Sequence, residues 1–170
     1  MRGILQHYLT VLVACAALLL GLQAPNLADQ YQKRVDAHLR EVTANLLPFQ
    51  AIADKYFGGD LDKLIVLHRN SGEKPFQEEG AAIEQMVQRK QRFEAELAAM
   101  TGSLPARVWH VLMQADDELR DETLAQYSYN VPMDAAALSF GALFTLGVLG
   151  LLEALLAVTR ALLRKPATQR

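Results

Sequence analysis

The sequence predicts an all-α fold: a two-span transmembrane helical hairpin bearing an extracytoplasmic helical, coiled-coil-like bundle. Three observations predict it. Formal charge is missing between Arg2 and Asp29, and again between Asp134 and Glu153. The chain between those runs is rich in charge and repeats its apolar residues at steps of three and four. Strand signals are absent, with no alternating β-branched run and no Asn-Gly or Asp-Gly turn. The averages conceal this division. With 170 residues, 51% hydrophobic, 21% charged, a net charge of −2 and a mean hydropathy of +0.06, the composition is that of one soluble domain. Here the near-neutral hydropathy is a cancellation between two oily segments and a polar one.

The elements follow in order. Residues 1–3 form a cytoplasmic N-terminus, and 4–24 a first span with only Gln6, His7 and Gln23 strongly polar. Its length meets the ~20 apolar residues needed to cross a bilayer. Cleavage after Ala24 is disfavoured because Leu22 stands where a signal peptidase needs a small residue and Pro25 follows. Leu12–Cys15 resembles a lipidation signal, but Ala16–Leu22 stays apolar where a mature lipoprotein turns polar. The segment therefore reads as an uncleaved anchor. The second span, 135–157, holds one charge, Glu153. The tail 158–170 carries Arg160, Arg164, Lys165 and Arg170 and no acid. The basic tail places both termini in the cytoplasm and 25–134 outside, with Tyr127 and Tyr129 at the outer interface. In a Gram-negative bacterium that outside is the periplasm.

Within 25–134, Pro25 and Asn26 offer a helix start, and Leu27, Tyr31, Val35, Leu39, Val42, Leu46, Phe49, Ile52 and Tyr56 mark one stripe. Pro48 is expected to kink this helix and Gly58-Gly59 to stop it. A straight helix over 26–57 would reach ~48 Å. A short helix opens at Asp60 and carries Leu61, Leu64, Ile65 and Leu67; Arg69–Pro75 reads as a loop. A third runs from about Phe76 to Thr101, with Ile83, Val87, Phe93, Leu97 and Met100 on one face. A fourth opens at Ser103, with Pro105 in its first turn and Val108, Leu112, Ala115 and Leu119 facing inward.

Chemistry-bearing motifs are sparse. One Cys, inside a span, excludes an intramolecular disulfide and a Cys-based zinc site. His38 and Glu41 lie three apart on a helix and could share one metal ion, which His68 and His110 join only if the fold brings them close; isolated surface histidines are the commoner explanation. No phosphate-binding Gly loop and no Gly-x-Ser-x-Gly occurs. Negative net charge without basic–aromatic clusters excludes nucleic acid as a partner. The run 116–122 offers a docking patch for a basic partner in Asp116, Asp117, Asp121 and Glu122, weak calcium binding without the loop of an EF-hand, or simply a solvated helix face. Glu153 is costly in hydrocarbon. In an antiparallel hairpin His7 and Gln6 lie at its level, so a bond across the hairpin would fix the register. Snorkelling, or pairing with Arg160, is the alternative. Ala14, Ala17 and Gly21 share a face of the first span, while Ala137/Gly141 and Gly150/Ala154 form small-xxx-small spacings in the second. They suit packing within the hairpin or a homodimer.

The stretches Asp29-Gln30-Tyr31-Gln32-Lys33-Arg34-Val35-Asp36-Ala37-His38-Leu39, Phe57-Gly58-Gly59-Asp60-Leu61 and Tyr127-Ser128-Tyr129-Asn130-Val131-Pro132 resemble those of a proteobacterial family, domain of unknown function 2937. The resemblance covers nearly the whole chain. It implies a multi-pass inner-membrane protein and transfers no catalytic, cofactor or metal residues. The expected function is a non-enzymatic scaffold or interaction module that sits in the lipid bilayer and contacts an unknown membrane or periplasmic protein. The alternative is a small accessory or regulatory subunit of a transporter or membrane enzyme, acting through its spans.

Overall fold

The computed structural model describes residues 2–163 and is helical throughout, with no strand among the described residues. Six helices follow one another: α1 Arg2–Phe57, α2 Leu61–Arg69, α3 Lys74–Ala99, α4 Leu104–Met113, α5 Asp117–Ala125 and α6 Ala135–Leu163. Arg164, Lys165 and Arg170 lie outside the described residues. The helix start expected at Pro25-Asn26 does not occur, because α1 runs through it. A proline removes a single backbone donor, and Asn26 is buried and used in side-chain bonds instead of capping. Pro48 also lies within α1.

The chain divides into two compact units. The first combines Met1–Ala28 with Tyr127–Arg170. It holds two helices long and apolar enough to cross a membrane, the N-terminal part of α1 and Ala135–Leu162 of α6. They meet on small residues. Ala17, Gly21, Ala137 and Gly141 are buried, and Ala14 is half-buried. A Cβ on Gly21 would stand 3.1 Å from the Gly141 Cα and 3.0 Å from the Phe144 ring, and one on Gly141 would stand 3.1 Å from Leu18 and Leu22. Bare backbone is what lets these helices approach. Asp134, the last charge before α6, caps it by accepting from the Ala137 N–H at 2.9 Å. Inside α6, the hydroxyls of Ser139, Thr145 and Thr159 donate to carbonyls one turn back, so none needs water.

The second unit is Asp29–Gln126. Tyr31, Val35, Val42 and Leu46 of α1 are buried in it, with Leu64 and Ile65 of α2 and Ile83, Phe93 and Met100 of α3. At the end of α1 the stripe departs from expectation: Ile52 and Tyr56 are exposed and the smaller Ala53 is buried. Gly58 and Gly59 turn the chain with φ of 64° and 86°, a region other residues enter at a cost. Asp60 then caps α2 by accepting from the Lys63 N–H at 3.2 Å, and Lys63 holds its carboxyl below the ordinary value. Helix α3 begins earlier than expected, with Pro75 in its first turn. Gly80 carries α2 against α3, since a Cβ there would stand 2.9 Å from the His68 Cβ.

The expected fourth helix is two helices. It breaks after Met113, and Asp116 restarts it as N-cap of α5 by accepting from the Leu119 N–H at 3.1 Å. The helical period cannot be carried across that break. Val108, Val111, Ala115 and Leu119 are buried, whereas Leu112, assigned inward, faces out.

Replacing Gly21 or Gly141 with Leu is expected to weaken the α1–α6 pairing by about 1–3 kcal/mol through overpacking. Gly147 and Gly150 have open space around them. Leu at either is expected to change the pairing by less than about 0.5 kcal/mol. Energy transfer between dyes on α1 and α6 during detergent unfolding measures both.

Candidate functional site: polar ties along α1

Polar side chains on the buried side of a helix must find partners or carry a desolvation cost. α1 places Tyr31, Gln32, Arg34 and His38 within two turns, and each bonds to another helix or its end. The Tyr31 hydroxyl donates to Glu96 Oε2 of α3 at 2.7 Å, and His110 Nε2 of α4 lies 2.7 Å from the same oxygen. The Glu96 and His110 side chains are each 14% exposed, and the Tyr31 and His110 rings meet edge-on. Burial, reinforced by the Glu96 carboxylate, pushes the Tyr31 phenol far above its ordinary range, so it stays a proton donor. Beside it, Arg107 donates to Gln32 Oε1 at 2.7 Å.

One turn further along α1 is a second tie. Glu122 Oε2 of α5 accepts from His38 Nε2 at 2.8 Å and from Arg34 Nη1 at 3.3 Å; Arg34 Nη2 also donates to Gln126 Oε1 at 2.8 Å. The hydrogen bond from His38, with the Arg34 guanidinium reinforcing it, holds the Glu122 carboxyl below its ordinary value. His38 also packs on Phe93, with ring centroids 5.5 Å apart. An open cleft of about 490 Å³ lies along this tie, lined by Lys33, Arg34, His38, Glu41 and Thr123 among others. Its charges are of both signs, and Lys33 is 2.7 Å from Asp29.

A third tie lies in the first unit. Asn26 Nδ2 donates to the Ser128 carbonyl at 2.8 Å and to the Tyr127 hydroxyl at 3.0 Å; that hydroxyl donates to Gln23 Oε1 at 2.7 Å. Burial raises the Tyr127 phenol, against the lowering effect of the Asn26 bond.

The expected site residues fare differently. His38, His68 and His110 are not separate surface groups: His38 sits on Glu122, His68 on Glu79 at 3.4 Å and His110 on Glu96. Among the described residues, no group of three or more His, Cys, Asp or Glu could hold a metal ion. The acidic run is largely taken up internally. Asp116 caps α5 and lies 3.5 Å from Arg92, Glu118 pairs with Arg92 at 2.7 Å, Asp117 with Arg120 at 2.6 Å, and Glu122 with His38. Asp121 is exposed. Glu153 and His7 are both exposed and form no hydrogen bond or ion pair with each other, nor does Glu153 with Arg160, among the described side chains. Glu153 lies about 120° around α6 from Gly141, the residue that meets α1. The Gln6 side chain lies outside the described residues. Cys15 is free and exposed, and so are Gly150 and Ala154.

Two of these partners had a signal in the sequence. His38 falls on the stripe Tyr31–Val35–His38–Val42, and Glu96 lies between Phe93 and Met100 on the inner side of α3. A titratable residue inside an apolar stripe announces a buried pair.

Replacing Glu96 with Leu strands the Tyr31 hydroxyl and the His110 ring. It is expected to cost about 3 kcal/mol, and Tyr31→Phe about 1–2 kcal/mol, by urea unfolding followed by circular dichroism. Glu122 gives the fold an acid limit. Its lowered carboxyl favours the folded state above the ordinary glutamate range, and that contribution is lost as pH falls through the lowered value. The wild-type midpoint of unfolding is therefore expected to drop on acidification, and Glu122→Gln to flatten that part of the profile.

The three stretches that resemble a known family coincide with structural devices: the ties from Tyr31 to His38, the turn and cap at 58–60, and the Tyr127–Ser128 contact with Asn26. No curated protein and no solved structure matches the chain. The model of the family described as protein of unknown function (DUF2937) matches residues 5–165, spanning both apolar helices and the bundle, and the chain belongs to that family.

Proposed function

We propose that the chain is a membrane-anchored, non-enzymatic interaction module of the inner membrane of a Gram-negative bacterium. In this reading both termini are cytoplasmic, and residues 25–134 present a helical bundle in the periplasm as a scaffold for a protein partner. The observation that carries it is the use made of the chemistry-bearing side chains. Tyr31, Arg34, His38, Glu96, His110 and Glu122 bond to one another across helices, so they serve to hold a shape. The basic tail supports the orientation. The proposed scaffold uses no cofactor and no nucleic acid.

A second reading makes the chain a small accessory or regulatory subunit acting through its spans, including as a homodimer. It is favoured by the side of α6 where Gly147, Gly150, Glu153 and Ala154 are all exposed.

A reporter that is active only outside the cytoplasm is expected to work when fused near Gly72 and to be silent at either terminus. A cytoplasmic Gly72 overturns the orientation. Crosslinking in native membranes identifies the partner. Exchanging both spans for unrelated apolar helices then leaves that capture intact under the scaffold reading and abolishes it under the span reading. Retained activity after His38, Glu41, His68 and His110 are replaced together removes a metal-dependent enzyme reading.

A further inference from the structure

We infer that the linker from Ser128 to Met133 lies along the outer surface of the bilayer, with Tyr129, Val131 and Met133 against lipid at the boundary between headgroups and acyl chains. The inference rests on the proposed membrane anchoring. Every residue that carries it belongs to the first unit, Met1–Ala28 with Tyr127–Arg170. Tyr129 is 82% exposed, Met133 78% and Val131 45%. Tyr127, placed at the outer interface with Tyr129 by the sequence, is half-buried and turns its hydroxyl inward to Gln23 and Asn26. The two rings meet edge-on with centroids 4.9 Å apart, so the inward tyrosine supports the outward one. Asp134 is the single charge from 123 to 152, and its carboxylate caps α6. Beyond it the exposed apolar surface continues without a break into Ala135, Ala136 and Leu138 of α6. The phase that covers the outside of that apolar helix is the one that reaches the linker.

The depth follows from how the two ends of the linker are pinned. Gly21 of α1 meets Gly141 of α6, and Asn26 of α1 bonds the Ser128 carbonyl at 2.8 Å, so the two helices run antiparallel. At about 1.5 Å per residue, Asn26 stands about 8 Å beyond Gly21, and Ala135 about 9 Å beyond Gly141 in the same direction. Both ends of the linker therefore sit at one level, two residues past Ala24, where the first apolar run ends. The seven steps from Ser128 to Ala135, held at both ends, rise from that level by no more than about 12 Å. The backbone sets the opposite limit. Residues 127–133 form no helix or strand, and peptide groups without regular partners are not tolerated against hydrocarbon. Peptide groups that need water and side chains that leave it meet their demands together only at the interface. Tyrosine, with an apolar ring and a polar tip, is favoured there.

Trp109 is the chain's single tryptophan, so Trp109→Phe clears the background for a probe placed elsewhere. The full chain carrying Trp109→Phe and Tyr129→Trp is reconstituted in phosphatidylcholine vesicles in which part of the lipid bears bromine, either near the headgroup end or near the far end of its acyl chains. The linker probe is expected to emit at shorter wavelength than in water, to be quenched more strongly by the shallow bromine than by the deep one, and to resist aqueous iodide. Adding Met133→Asp is expected to weaken the shallow quenching and restore quenching by iodide, with helical content unchanged. A control with Trp109→Phe and Leu146→Trp puts the probe on an exposed position of α6, where the deep bromine is expected to quench more strongly. If the control is quenched by bromine while the linker probe is quenched only by iodide, the linker faces water and the inference fails with the anchoring intact. If bromine at neither depth quenches the control, the anchoring itself fails and takes the inference with it. Protection of the linker probe from every quencher overturns the inference in favour of a protein cover, such as a second copy. Stronger quenching of the linker probe by the deep bromine overturns the interfacial depth.

Discussion

One glutamate oxygen holds the register of three helices. Glu96 on α3 takes the Tyr31 hydroxyl from α1 and the His110 ring from α4 on the same Oε2, at 2.7 Å each. A carboxylate that is mostly withdrawn from water must keep its donors, because losing either strips it of one of the two that compensate its burial. Apolar stripes slide past one another at small cost in area, but this oxygen accepts both donors at only one setting of the helices. The second carboxylate, Glu122, extends the constraint to α5 by accepting from His38 and Arg34. With both in place, the stripe from Tyr31 to Ala53 has a fixed set of neighbours, and buried residues such as Phe93, Val111 and Leu119 fall into line around it.

The first unit solves a similar problem with less chemistry. Its apolar helices have little to distinguish one face from another except size, so contact is set where side chains are smallest, at Ala17, Gly21, Ala137 and Gly141. Polar bonding enters at one end, where Asn26 ties α1 to the Tyr127–Ser128 segment. Away from that end, the hydroxyls of α6 bond to their own helix and leave its outer surface to apolar and small residues. Glu153 and Arg160 are the charged exceptions on that surface.

Periodicity was a good guide where a helix continued and a poor one where it stopped. The stripe of α1 was legible over Tyr31, Val35, Val42 and Leu46, because one helix runs beneath all four. Leu112 was assigned inward on the assumption that 103–119 is one helix. The break after Met113 resets the phase, and a single N-capping Asp116 is a weak cue against a continuous apolar pattern. The partners of the acidic run are hidden in the same way. Its carboxylates look unpaired along the chain because Arg92, Arg34 and His38, which neutralise three of them, lie more than twenty residues away.

By itself the sequence determined the class of surroundings for each segment: two stretches suited to hydrocarbon, one suited to water, and helices throughout. Those properties depend on local composition and on a repeat of 3.6 residues, both of which are written along the chain. Only the tertiary structure decided which polar groups satisfy one another, and so which are spent on the fold and which remain on its surface. A side chain's partner is chosen by distance in space, and burial of a polar group is tolerated only when that partner is present. For the same reason the exposure of Trp109, Leu112 and Met113 on α4 could be seen only once Val108 and Val111 had been placed on its other side.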